Sequence, residues 1–200
     1  MFGKIKILMG SGSVLGYFLQ VLPIAVLAGA IYLAVRLAAL KKRGARSELL
    51  PELLRVIFVC YLSGLISLIV LPANFWLYVY DGIFLGWWDE LGQVFRLGEI
   101  DLVPSALLWA KGELSLGSWV KAMLIGNVAM FIPLGLLLPL VSTVNSPKKM
   151  LAVSVMAPLC FETAQLFCGR SFDVDDLICN FIGIAVGAIA AFAILRYGKR

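Results

Sequence analysis

The sequence predicts an all-α membrane protein, a bundle of about five transmembrane helices with one external interfacial segment. Hydrophobic residues make up 62% of the 200 residues and the mean hydropathy is +0.97, whereas soluble domains are roughly 45–50% apolar. The apolar residues form blocks that approach the ~20 residues needed to cross a ~30 Å hydrocarbon core, and short basic segments separate these blocks. We therefore expect one transmembrane domain over residues 1–200.

Five apolar blocks qualify as spans. Their predicted bounds are about 14–40, 53–75, 119–141, 150–167 and 177–197. The third contains Pro133 and Pro139, and the fourth is short for a bilayer and is interrupted by Pro158.

The basic residues predict the orientation, since Lys and Arg concentrate in cytoplasmic loops. They cluster after the first span, after the third and in the tail: Lys41, Lys42, Arg43, Arg46, Arg55, Lys148, Lys149, Arg196, Lys199 and Arg200. Five spans then place the N-terminus outside and the C-terminus in the cytoplasm, although Lys4 and Lys6 argue mildly against this. The predicted location is the cell membrane, with residues 77–118 outside.

Residues 77–118 are rich in aromatic side chains. All five tryptophans lie within the segment or at its borders: Trp76, Trp87, Trp88, Trp109 and Trp119. Trp and Tyr favour the headgroup region, so one interpretation is a segment lying on the membrane surface. The other is a lid or platform for an amphiphilic ligand.

Three spans carry polar and small residues at helical spacing, so that each set shares one face. The sets are Asn127, Phe131 and Gly135 on the third span, Pro158, Glu162, Gln165 and Gly169 on the fourth, and Asp176, Asn180, Gly183 and Gly187 on the fifth. Gly183 and Gly187 form a GxxxG pattern, which lets helices approach closely. In the predicted orientation these polar groups gather at the outer leaflet.

Glu162 and Asp176 are the candidate catalytic residues, as an acid and base pair. A charge inside a membrane helix costs about 2.5–3.5 kcal/mol on insertion scales and defaults to a functional hypothesis. The candidate binding residues are Asn127, Gln165, Arg170, Asp173, Asp175 and Asn180. The structural alternative is a Glu162–Arg170 salt bridge with interhelical amide hydrogen bonds.

These residues resemble the VanZ family of small bacterial membrane proteins. The resemblance covers residues 100–190 and is carried by Asn127-x-x-x-Phe-x-Pro-Leu-Gly135, by Glu162-x-x-Gln165, by Arg170 and by the Asp-rich run ending in Asn180-x-x-Gly183. Upstream, an Asn-Leu-Ile-Pro-Phe-like segment of the family is replaced by Asp101-Leu-Val-Pro104-Ser105. The resemblance implies a polytopic membrane protein; some members lower susceptibility to teicoplanin-type glycopeptide antibiotics.

Several classes of catalytic site, cofactor and partner are excluded or not supported by the sequence. The chain has no histidine, which excludes a Ser-His-Asp or Cys-His arrangement. The four cysteines show no CxxC spacing, so we predict no metal and no cofactor. The basic residues are topology signals and indicate no nucleic-acid partner.

The function we expect is action at the outer leaflet on, or around, membrane lipid or lipid-linked cell-wall material. Two alternatives stay open: a membrane-embedded acid–base enzyme on a lipid headgroup, and a non-catalytic scaffold. The sequence leaves open both enzymatic activity and oligomeric state.

Overall fold

The computed structural model describes residues 2–44, 48–112 and 117–197. Three of the basic residues that predict the orientation, Arg46, Lys199 and Arg200, lie outside these ranges. The described helices are α1 (Phe2–Met9), α2 (Val14–Arg43), α3 (Leu49–Ile69), α4 (Phe75–Leu85), α5 (Ser105–Ala110), α6 (Ser118–Val141), α7 (Pro147–Phe167) and α8 (Val174–Tyr197). A 3-10 helix (Trp88–Leu91) and two short strands, β1 (Ile100–Asp101) and β2 (Phe172–Asp173), complete the elements.

Five helices (α2, α3, α6, α7 and α8) are long and apolar enough to cross a membrane. This confirms the predicted all-α fold with five candidate spans. All four cysteines are free.

The second span differs from its predicted range of 53–75. Helix α3 begins at Leu49 and ends at Ile69, and a separate helix, α4, begins at Phe75. Pro72 explains the break, because proline has no backbone N–H and disfavours a helical conformation in the residue before it. Asn74 then turns the chain with a φ of 61°.

The chain divides into two compact units, Met1–Leu97 with Phe167–Arg170, and Gly98–Leu166 with Ser171–Arg200. In the first unit, α2 packs against α1 and α3, and α4 packs against the 3-10 helix. Glu52 on α3 accepts hydrogen bonds from Arg36 on α2, at 2.9 and 3.1 Å to its two oxygens, and from Arg55. Arg36 therefore pairs with a carboxylate inside the unit.

The second unit is built on the close packing of α6 and α8. A methyl group at Gly183 or Gly187 of α8 would overlap the carbonyl oxygen of Val128 or Ile132 on α6, and one at Gly135 would overlap that of Ile184. Only a residue without a Cβ permits this approach. The predicted GxxxG pattern thus lies at a helix–helix contact.

The strands β1 and β2 pair in parallel within the same unit. Ile100 lies opposite Phe172 and Asp101 lies opposite Asp173, and the amide of Phe172 donates to the carbonyl of Glu99 at 2.8 Å. The pair places the segment before α5 beside the start of α8.

Candidate functional site

Helix α7 presents one buried stripe in the second unit. Its buried members follow helical spacing: Met150, Ser154, Pro158, Glu162 and Gln165. The helix ends at Phe167, and Gly169 adopts a φ of 72°, so Gly169 lies beyond the helical face on which the spacing placed it.

Glu162 is the centre of the site. Its side chain is fully buried, at 0% exposure. One carboxylate oxygen accepts a hydrogen bond from Nε2 of Gln165 at 2.9 Å, and the other accepts from the backbone N–H of Asp173 at 3.0 Å. Gln165 is itself 3% exposed. Because a buried charge is costly unless it is hydrogen-bonded, these donors stabilise the carboxylate and fix its orientation.

The start of α8 supplies three carboxylates. Asp173 precedes the helix and accepts from the amide of Asp175 at 2.7 Å, which is how an N-cap residue satisfies a free helical N–H. Burial, together with the negative charges of Asp175 and Asp101, raises the pKa of Asp173 above its usual 3.8. Asp175 accepts from the amide of Ser105 at 2.9 Å.

Asp176 and Asn180 lie one turn apart on α8. Asp176 accepts a hydrogen bond from Nδ2 of Asn127 on α6. Asn180 is 2% exposed, and in the described part of the chain its Oδ1 is buried without a hydrogen-bond partner. Such an acceptor loses its water without a replacement, which costs about 1–3 kcal/mol. The site therefore holds an acceptor that a bound donor group would satisfy.

Phe131 of α6 is one turn after Asn127, and Phe161 of α7 directly precedes Glu162 in the chain. Their rings meet edge to face with centroids 5.5 Å apart, and Phe131 is fully buried. A methyl group at Gly183 would touch the Cβ of Phe131. Phe131 of α6 therefore packs against both α7 and α8.

Arg170 belongs to the first compact unit. Its guanidinium donates to the carbonyls of Leu68 and Leu71 at 2.8 and 3.3 Å. The carbonyl of Leu68 would normally accept from the residue four positions later, which is Pro72 and has no N–H. Arg170 therefore satisfies an oxygen that the break after α3 leaves open.

Sequence reasoning missed Asp101 and Ser105, because they lie where the segment departs from the family pattern. The parallel strand pair brings Asp101 opposite Asp173, and Ser105 donates to Asp175. The only sequence signal for these two residues was the position of their segment in the family pattern, at the place of the Asn-Leu-Ile-Pro-Phe-like segment.

The second unit thus brings together Glu162, Gln165 and the backbone of Asp173, and separately Asp176 with Asn127. In the described ranges, no group of three or more His, Cys, Asp or Glu side chains is arranged to hold a metal ion. Carboxylate and amide oxygens dominate the site, so the group it suits is a hydrogen-bond donor such as a hydroxyl.

Comparison with known proteins identifies a family. A family model described as VanZ/LLP1 matches residues 58–196. This confirms the predicted resemblance, extends it upstream of residue 100, and covers all of the candidate site residues. No curated protein and no solved structure matches the chain.

Proposed function

Because the chain belongs to the VanZ/LLP1 family, we propose that this multi-pass membrane protein binds the polar headgroup of lipid-linked envelope material in the site around Glu162. The site would act from the outer leaflet. The phenotype we expect is lower susceptibility to teicoplanin-type glycopeptide antibiotics.

The observation that carries the proposal is the burial of Glu162. A carboxylate with no exposed surface, in a helix apolar enough to span the membrane, is expensive to retain, and such residues mark binding or transport sites by default. Its two oxygens are held by Gln165 and by the amide of Asp173, which gives the preorganised geometry that a binding site requires.

The unpaired acceptor of Asn180 supports a ligand rich in hydroxyl groups. Asn180 Oδ1 can accept a hydrogen bond and has none from the described residues. Sugar headgroups present many O–H donors, each of which can pair with an amide or carboxylate oxygen. A saccharide-bearing lipid fits this site better than a purely apolar one.

The distribution of charge supports the outer leaflet. Within the second unit, the site lies at the C-terminal end of α7 and the N-terminal end of α8, whereas Lys148, Lys149 and Arg196 lie at the opposite helix ends. Basic residues favour the cytoplasmic side. Lys111 and Lys121 do not follow this bias toward the cytoplasmic side. The basic residues at the end of α2 do follow it and strengthen the assignment.

The test compares Glu162→Gln with Glu90→Gln, a matched change at an exposed carboxylate in the first unit. Glutamine fits the space of Glu162. Its amide N–H can donate to the side-chain oxygen of Gln165 once the Gln165 amide is flipped, and its oxygen can still accept from the backbone N–H of Asp173. We expect normal abundance of both proteins in the membrane, with loss of teicoplanin protection and of lipid-linked saccharide binding only in Glu162→Gln. Full protection at normal abundance would contradict the proposal.

The same experiment separates the alternatives. An acid–base enzyme would keep ligand binding in Glu162→Gln and lose turnover, because the amide preserves shape but transfers no proton. A scaffold in which Glu162 only secures packing would keep both normal abundance and full protection in Glu162→Gln, because glutamine preserves the shape and both hydrogen bonds of the side chain.

A further inference from the structure

A second candidate binding region lies in the first compact unit, apart from the residues used above. Helices α1, α2 and α4 line an open pocket of about 730 Å³ whose surface is almost wholly apolar. Its walls include Met9, Leu19, Leu22, Leu77 and Phe84. This volume lies within the ~300–1,000 Å³ of typical small-molecule sites.

Gln20 holds the walls of the pocket together. Its side chain is 2% exposed and its Nε2 donates to the carbonyl of Met9 at 2.8 Å and to Oδ1 of Asn74 at 2.9 Å. Its own carbonyl accepts from the hydroxyl of Tyr80 at 2.8 Å. One residue of α2 thus joins the end of α1 to α4, so the pocket exists before a ligand enters.

A cation lies at the pocket wall. Nζ of Lys6 pairs with Asp81 at 2.8 Å, and the Lys6 side chain is 43% exposed while that of Asp81 is 8% exposed. Nζ also lies 4.8 Å from the ring centroid of Trp87. Because Asp81 is buried and Lys6 is partly exposed, Lys6 is the group of the pair that is accessible from outside. Its ammonium has three N–H donors.

We propose that this pocket binds one acyl chain of an anionic phospholipid, with the lipid phosphate against Lys6. The apolar walls suit a hydrocarbon chain, and rim residues such as Leu22 and Phe84 are 49% and 75% exposed, so a chain can enter from the surrounding lipid. The charge is complementary, because residues 1–47 contain no Asp or Glu and α1 carries Lys4 and Lys6. Basic residues at the membrane surface favour anionic lipids. This proposal does not rest on the function assigned to the Glu162 site.

The test uses the purified full-length protein in neutral detergent, with native mass spectrometry as the readout. Phosphatidylglycerol and phosphatidylcholine with identical acyl chains are the probes. We expect about a fivefold preference for phosphatidylglycerol, which corresponds to the contribution of one basic residue near an anionic headgroup. Equal retention of the two lipids would overturn the charge assignment.

A matched pair of substitutions tests the pocket. Leu22→Trp fills it from the rim, whereas Leu27→Trp places the same side chain at a 55% exposed position of α2 outside the pocket lining. Retained lipid should fall in Leu22→Trp and be unchanged in Leu27→Trp. An equal lipid count in both variants would mean that the lipid binds around the helices rather than in the pocket.

A second pair tests the headgroup contact without leaving Asp81 as an unpaired buried charge. The double variant Lys6→Gln with Asp81→Asn should lose the preference for phosphatidylglycerol while still retaining lipid, and Lys6→Arg should keep the preference. Glycerophosphoglycerol, which has no chains, should not compete. A preference that survives in the double variant, or displacement by the chain-free headgroup, would overturn the proposal.

Discussion

At the scale of the residue, carboxylates in the apolar helices are held by amide donors. Glu162 accepts from Gln165 and from a backbone N–H, and Asp176 accepts from Asn127. These amide donors fix the orientation of the two carboxylates. In the first unit, Glu52 accepts hydrogen bonds from two guanidinium groups, those of Arg36 and Arg55.

Asp173 gives a prediction for pH. Its pKa is raised, chiefly by burial and further by the charges of Asp175 and Asp101. For an acid, a folded-state pKa above the unfolded value favours the protonated form in the fold, so this stabilisation is present below about pH 3.8 and is lost as pH rises through the folded pKa. Asn keeps the side-chain oxygen that caps α8 and cannot ionise.

We therefore expect the Asp173 contribution to the melting temperature to fall as pH rises above about 4 in the wild-type protein and to vanish in Asp173→Asn. Thermal unfolding in detergent at a series of pH values measures this. Asp89→Asn, at an exposed position, is the control and should follow the wild type. The melting temperature of the wild type minus that of Asp173→Asn should fall as pH rises, and a difference that rises with pH would show that the sign is wrong.

Helical periodicity was sufficient to predict part of the site. Glu162 and Gln165 are three residues apart on one helix, so their shared face follows from local geometry alone. The contacts of Asp101 and Ser105 join segments about 70 residues apart, and no local pattern encodes such a pairing. The unpaired oxygen of Asn180 depends on the packing of its neighbours and was equally beyond the sequence.

At the scale of the element, the contact between α6 and α8 depends on three glycines. A Cβ at Gly187 would overlap the carbonyl oxygen of Ile132, and backbone atoms cannot rotate away as a side chain can. We expect Gly187→Ala to lower the unfolding free energy by about 1–3 kcal/mol, as overpacking does.

Gly126→Ala is the matched control on α6, because no atom lies within 4 Å of a Cβ built there. Alanine is the better helix former, so this variant should be neutral or up to about 1 kcal/mol more stable. Denaturant unfolding of both proteins in mixed micelles provides the measurement. Equal stabilities would contradict the close packing of the two helices.

The break between α3 and α4 shows where hydrophobicity misleads at this scale. Apolar residues continue through Ala73 and resume at Phe75, which favoured one span over 53–75. Pro72 and the left-handed Asn74 interrupt the helix in spite of that continuity. The proline and the left-handed asparagine, not the length of the apolar run, determine where the helix ends.

At the scale of the whole molecule, the expected topology has an external N-terminus and a cytoplasmic C-terminus. The prediction rests on the basic residues at the end of α2, after α6 and in the C-terminal tail. In a variant without its native cysteines, a single cysteine at Asp89 should react with a membrane-impermeant maleimide in intact cells, whereas one at Lys42 or Lys148 should react only after permeabilisation. All three positions are exposed, so access within the protein does not bias the comparison. Labelling of Lys148→Cys in intact cells would reverse the topology.

Composition and motif order were enough to predict the fold class and the family, because membrane insertion demands long apolar helices whatever the details of packing. The division into two units was not predicted. It depends on which helices pack together, and apolar blocks of similar length do not encode this choice.

The parallel pairing of β1 with β2 constrains the order in which contacts can form while the chain is being synthesised. Parallel strands require a long connection, and here α5, α6 and α7 all lie between them. Ser105 and its partner Asp175 are 70 residues apart, so at about 5–20 residues per second the ribosome needs roughly 4–14 s to make the second after the first. The carboxylate of Glu162 likewise waits for the amide of Asp173. A nascent chain stopped before β2 therefore carries three or four inserted helices and a buried acid whose donor from β2 has not yet been synthesised.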